Sequence, residues 1–107
     1  GEYSDTDTTN TVNNYSGAFK NCIAITKLTF DDTCTFTFVG ADFAYGCTAL
    51  REVRLPKTCM RICSGAFDEC TVLGSIIAPE GIVVETNGIF LNTTIHHYNV
   101  ETGEMID

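Results

Sequence analysis

Basic residues are scarce in this chain. Six Lys and Arg stand against 14 Asp and Glu, leaving a formal net charge of −8. So acidic a surface excludes nucleic acid and anionic membrane as principal partners, because both are gripped through cationic surface. Long apolar runs are also missing, and with no window near 18 uninterrupted apolar residues, nothing reads as a bilayer-spanning helix. Histidine is limited to His96 and His97. Neighbours along a strand point to opposite faces, so these two cannot both hold one ion. Cys-x-x-Cys is absent, and Cys59-x-x-x-Cys63 has no second close pair, which argues against a structural zinc site. Gly-x-Ser-x-Gly, a Gly-rich phosphate loop and His-Glu-x-x-His are all wanting, and with them the usual signs of acyl transfer, phosphate binding and metalloprotease chemistry. We therefore expect no enzyme activity, no catalytic residue, no metal and no cofactor.

What remains is ample for one domain. The 107 residues are 44% hydrophobic and 19% charged, a balance that folds rather than stays disordered. Residues 1–14 are polar and acidic, and read as a flexible leader of the kind that follows a cleaved export signal or a lipid-anchored cysteine. The D-T-D-T-T-N stretch within it lacks the Gly and the bidentate acid of a calcium loop.

The six cysteines, at 22, 34, 47, 59, 63 and 70, organise the rest. The first four fall at nearly equal intervals, a regularity that points to a repeat rather than to disulfide stapling. Gly17-Ala18-Phe19-Lys20-Asn21-Cys22 recurs as Gly65-Ala66-Phe67-Asp68-Glu69-Cys70, with Phe43-Ala44-Tyr45-Gly46-Cys47 between them and a degenerate copy at Gly88–Thr93. Each cysteine is followed by L-x-x-L-x-L: Ile25 to Phe30, Leu50 to Leu55, and Leu73 to Ala78. The closing period-two alternation suits a strand buried on one face, and Pro56 and Pro79 end two of these strands. From one cysteine equivalent to the next the period is about 24 residues, within the range of known solenoid repeats. It is longest in the first interval, where the loop before Phe43 carries two extra residues. Stacking then predicts three apolar columns: Ile25, Leu50 and Leu73; Leu28, Val53 and Ile76; Phe30, Leu55 and Ala78. An aromatic spine of Phe19, Phe43 or Tyr45, Phe67 and Phe90 accompanies them.

G-A-F-K-N-C-I-A-I-T-K-L-T-F, A-Y-G-C-T-A-L-R-E-V-R-L-P and G-A-F-D-E-C-T-V-L-G-S-I-I-A-P resemble the BspA-like, or Treponema pallidum-type, leucine-rich repeat. The resemblance covers about 80 residues and implies a right-handed solenoid of about three and a half repeats of 23–25 residues. Such a fold is β-rich, with short strands joined by tight turns or short helical or 3-10 segments. The implied setting is a secreted or surface-anchored bacterial protein engaged in adhesion. On this reading residues 15–95 form the solenoid and residues 96–107 a C-terminal capping segment. The last unit departs from the pattern, with Thr93 in the place of the cysteine and Glu85 in that of the second-half Ile.

Cys22, Cys47 and Cys70 share one inward slot, where a thiol can hydrogen-bond the turn. Cys34 and Cys59 share a second slot, filled by Ile82 in the last unit, so packing explains five cysteines without pairing. Stacked neighbours at about 5 Å are within disulfide range on distance alone, which leaves a Cys34–Cys59 bridge open. Cys63 has no repeat equivalent. A thiol hydrolase needs Cys beside His, but the thiol nearest the histidines is the inward-facing Cys70.

The variable positions of L-x-x-L-x-L face outward and form the candidate binding surface: Lys27, Thr29, Arg51, Glu52, Arg54 and Ile77. All six basic residues fall between positions 20 and 61, a local strip able to receive an acidic protein or a sulfated glycan. Asn14-Tyr15-Ser16 and Asn92-Thr93-Thr94 are glycosylation sequons. We expect an exported, monomeric, non-catalytic module that binds a protein or glycan at the cell surface. The alternative is a structural spacer, a unit that self-assembles through its end coils without a ligand of its own.

Overall fold

A computed structural model describes residues 2–4, 9–11, 19–31, 33–85 and 92–107. Nine strands occur among the described residues: β1 (Glu2–Ser4), β2 (Thr9–Thr11), β3 (Lys27–Phe30), β4 (Phe38–Val39), β5 (Glu52–Arg54), β6 (Arg61–Ile62), β7 (Ser75–Pro79), β8 (Val83–Val84) and β9 (Thr94–Tyr98). They form two sheets, in the orders β2-β1-β3-β5-β7-β9 and β4-β6-β8. From β3 onward the chain alternates between them, each strand pairing in parallel with the one two places ahead. A single pass can cover neither of its own apolar faces, so successive passes must stack.

The expected columns are present. Leu28, Val53 and Ile76 are register partners and fully buried, as are Leu55 and Ala78 beside the nearly buried Phe30. Ile25, Leu50 and Leu73 each donate their N–H to the carbonyl of the cysteine three residues earlier, which sets the same turn in every pass. Ile25 is only partly buried, because it stands in the first full pass. In the aromatic spine Phe43 takes the place next to Phe19 and Phe67, with ring centroids 5.2 and 5.8 Å apart. Phe30 and Phe36 extend the cluster edge-to-face at 5.1 Å. Tyr45 is half-exposed and lies beneath the Lys20 ammonium, 5.5 Å from its ring. Phe90, the rest of the degenerate copy at 88–91, Gly17-Ala18 and the first sequon lie outside the described residues.

Both cysteine slots are filled as expected. The thiols of Cys47 and Cys70 donate to the carbonyls of Phe19 and Ala44 one pass earlier, each at 3.0 Å. Cys34, Cys59 and Ile82 close one shared turn, their N–H groups bonding the carbonyls of Asp31, Pro56 and Pro79. All six cysteines are free thiols. The two extra residues lie between Cys34 and β4, a stretch longer than its counterpart between Cys59 and β6.

Four expectations are corrected. The connections are not helical: no helix occurs among the described residues, and 41–46 and 64–69 are chains of turns. The cause is a repeated left-handed residue. The position before each slot cysteine is left-handed in all three passes, at Asn21 (φ 59°), Gly46 (φ 75°) and Glu69 (φ 62°). So is the position four residues earlier, at Asp42 (φ 61°) and Gly65 (φ 80°), and such residues break the run a helix needs. The last unit is also shorter than expected. Lys27 pairs with Glu52, Glu52 with Ser75 and Ser75 with Thr94, so the last step along the chain is shorter than the two before it. Thr93 is therefore not the equivalent of Cys70. It lies beside Gly74 and donates to the Leu73 carbonyl at 2.8 Å. In the second sheet Val84, not Glu85, stands opposite Ile62. Finally, the segment read as a flexible leader contributes β1 and β2, whose hairpin pairs antiparallel with β3 through Tyr3↔Phe30 and Ser4↔Thr29.

The repeated left-handed positions carry an expected outcome. Glu69→Gly relieves a side chain held in that conformation, and should raise stability by about 0.5–1 kcal/mol. Gly46→Ala should do the reverse by about 1–2 kcal/mol or more, since its Cβ would collide with Asn21 Oδ1. Urea unfolding of the two variants, followed by circular dichroism, checks the opposite signs.

Candidate functional site

The outward face of the first sheet is built from alternate residues of four parallel strands. One row reads Lys27, Glu52, Ser75 and Thr94; the next reads Thr29, Arg54, Ile77 and His96. Adjacent members are about 4.8 Å apart across the ladder. Arg51 is exposed just before β5, where its backbone bonds Thr26 and Gly74 on either side. Lys27, Thr29, Glu52, Arg54 and Ile77 of the six residues singled out from the sequence lie in these two rows, and Arg51 stands exposed just before β5.

They do not all remain available to a ligand. Lys27 Nζ lies 3.1 Å from Glu52 Oε2, its register partner. Both side chains are substantially exposed, so the pair is worth about 0.5 kcal/mol or less. Arg54 is engaged more firmly: its guanidinium carbon lies 4.2 Å from the Tyr98 ring centroid. Tyr98 stands on the outward side of β9, only 4% exposed, and its hydroxyl reaches back across β7 to the Leu55 carbonyl at 2.6 Å. The ring closes the end of the face where the strands finish at the buried Pro56 and Pro79. Arg51, Thr29, Ile77 and His96 are the groups left to meet a partner, a mixed basic, polar and aliphatic strip.

Tyr98 is the residue that sequence reasoning missed. Thr94-Ile95-His96-His97-Tyr98 alternates like the strands before it, and that alternation was the available signal. β9 runs through the boundary expected at residue 95, and the end of the chain then folds back on it. Asn99 Oδ1 accepts the N–H groups of Glu101 and Thr102 at 2.8 and 3.1 Å, and Gly103 turns with φ 76°. Ile106 N–H then bonds the His97 carbonyl at 2.8 Å, and Tyr98 pairs with Met105. The His97 ring lies 2.9 Å from the Asp107 carboxylate, an association that holds Asp107 below the usual carboxylate range.

A second cluster lies on the other sheet. Glu85 meets Arg61 Nη1 at 3.3 Å and the Ser64 N–H at 3.2 Å. Burial and then this same carboxylate push the Cys63 thiol up. Burial pushes the neighbouring Cys59 up to about 11. These are protonated thiols beside an acid, the opposite of what activates a cysteine nucleophile. No group of three or more His, Cys, Asp or Glu able to hold a metal occurs among the described residues.

The family model described as BspA type leucine rich repeat region (6 copies) matches residues 5–106. No curated protein matches, and no solved structure does.

Tyr98→Phe leaves the Leu55 carbonyl without its donor and should cost about 1–2 kcal/mol, whereas Arg54→Ala should cost about 0.5–1 kcal/mol. Thermal unfolding of both variants distinguishes them. Six thiols should react with an alkylating probe in denaturant but only the half-exposed Cys22 and Cys63 in the native protein at pH 8. Cys59 also weakens the fold in alkali. Its folded pKa lies above its unfolded value of 9.0, so the unfolded chain loses its proton first and stability falls as pH rises from about 9 toward 11. Cys59→Ala should flatten that part of the profile.

Proposed function

The chain belongs to the BspA-type leucine-rich repeat family, and on that premise we propose that it is an exported, non-catalytic binding module of a bacterial cell surface. Its ligand, a protein or a sulfated glycan, docks on the outward face of β3, β5, β7 and β9. The winding of alternate strands between two parallel sheets supports reading the whole as the right-handed solenoid of that family. No described helix is long and apolar enough to cross a membrane, so attachment rests with export and a lipid anchor or another domain. The observation that carries the binding assignment is the row Thr29, Arg54, Ile77 and His96. Arg54 is drawn onto Tyr98, so in this row the aliphatic Ile77 lies beside the His96 imidazole, where a contact can be anchored and oriented. Monomeric behaviour goes with this reading. The end of the outer edge of β9, through which an end coil would stack on another copy, is taken by Met105 against Tyr98 and Ile106 against His97.

Immobilised heparin and a panel of extracellular-matrix proteins test the assignment by surface plasmon resonance. Binding should weaken about tenfold or more in Arg51→Glu and in Ile77→Glu, with unfolding midpoints unchanged because both side chains reach solvent. Binding indifferent to both substitutions, or a concentration-dependent oligomer in light scattering, would reject the strand face and favour the self-assembling spacer.

A further inference from the structure

The two sheets do not end together. The parallel ladder of the first holds β3, β5, β7 and β9, while the second stops at β8 among the described residues. Val83 and Glu85 turn their N–H groups inward onto the Met60 and Ile62 carbonyls, each at 2.9 Å. Successive residues of a parallel ladder bond to opposite sides, so the N–H and C=O of Val84 face away from β6. No described residue hydrogen-bonds them.

The side chains repeat the same message. Val39, Ile62 and Val84 form one inward column. The first two are fully buried and Val84 is 36% exposed. Val83 and Met60 lie beside it at 49% and 44%. Native edge strands are normally guarded by Lys, Pro or a bulge, and Val83-Val84 carries none of these. The surroundings have one charge sign: between positions 62 and 107 there are seven acidic residues and no Lys or Arg. Glu85 is satisfied by Arg61, but Glu80, just before β8, is exposed.

The occupant is limited by the other sheet. A whole further coil needs an open edge in both sheets, and that of β9 is blocked at its end, where Tyr98 pairs with Met105 and the Ile106 N–H bonds the His97 carbonyl. A second copy is excluded similarly. Setting its β4 on β8 would drive its own β1 and β2, which extend the first sheet beyond β3, into β9 and the returning tail. A single strand meets no such obstacle. We propose that β8 is the docking edge for one extended segment of a partner protein, added in parallel to the second sheet. That segment carries a β-branched residue in the position that covers Val84, and Lys or Arg beside it to face the acidic end of the molecule. Backbone bonds to Val84 supply affinity, and the column and the charge supply selection.

The probe is the peptide of residues 57–64 with Cys59→Ser and Cys63→Ser, since β6 is the natural ladder neighbour of β8 and carries Lys57, Arg61 and Ile62. Labelled with a fluorophore, it is titrated into the intact chain by anisotropy, with a scrambled peptide as control. Saturable binding is expected at peptide concentrations up to the order of 1 mM, weaker at high salt. Val84→Pro removes only the outward N–H and should weaken it about tenfold, with the unfolding midpoint confirming that the variant is folded. Should Val84→Pro prove unstable, Val84→Lys is read in its place, together with loss of peptide-induced protection of the Val84 amide in hydrogen exchange. Ile77→Glu, on the other sheet, should leave binding unchanged. No saturable binding overturns the proposal, as does binding unaffected at Val84 but lost at Ile77. Light scattering that shows copies pairing through β8 overturns it in favour of self-association.

Discussion

In the first two turns of Gly-Ala-Phe type a buried carbonyl accepts the thiol of the cysteine one pass ahead. Cys47 reaches Phe19 and Cys70 reaches Ala44, both at 3.0 Å. Each of these carbonyls also accepts a backbone N–H of its own turn, from Cys22 at Phe19 and from Cys47 at Ala44, so the thiol fills the second lone pair and contributes about 1 kcal/mol or less. A bulkier donor would hold the turns apart, so a small thiol with one weak proton suits the slot. Turns brought this close bond through their backbones as well, Phe19 to Phe43 and Ala44 to Ala66 at 2.9 and 2.8 Å. Their spacing then sets the register in which the aliphatic columns and the ring cluster meet. The left-handed residue before each cysteine belongs to the same constraint, because it aims the thiol back at the preceding pass.

Much of this was legible from residue order. A repeat that places the same chemistry at a near-constant interval must place it at the same point of each pass, so Leu28, Val53 and Ile76 could be stacked before any coordinate was known. The inward cysteines followed from the same periodicity, and so did the alignment of Lys27 with Glu52 and of Thr29, Arg54 and Ile77 across the ladder. What was not legible arises where the repeat stops. The last pass is shorter than its predecessors by register, and counting forward from Cys70 put Thr93 in the wrong slot and Glu85 opposite Ile62. Glu85 serves Arg61 instead, a cross-strand pairing that no local pattern announces. Tyr98 is the clearest case, since its hydroxyl bonds a carbonyl as far back in the chain as Leu55. Composition alone marked residues 1–14 as a leader, yet Tyr3 and the threonines at 9 and 11 are of the types that strands favour.

A stack of coils leaves an apolar cross-section at each end, and the two sheets here manage it differently. The first is closed by antiparallel segments, β1 and β2 at one edge and the returning tail at the other. These reverse the chain direction, so they cannot template another parallel coil. The second has no such closure among the described residues, and its last column is consequently the one that loses burial.

Charge divides the molecule along the same axis. The six cations lie in the first two passes, where Lys27 and Arg61 bind carboxylates one pass ahead at Glu52 and Glu85 and Arg54 stacks on Tyr98 from two strands away. These contacts tie early coils to late ones across the grain of the ladder. They also engage half of the positive charge, which leaves Arg51 as the principal free cation among the described residues beside that face.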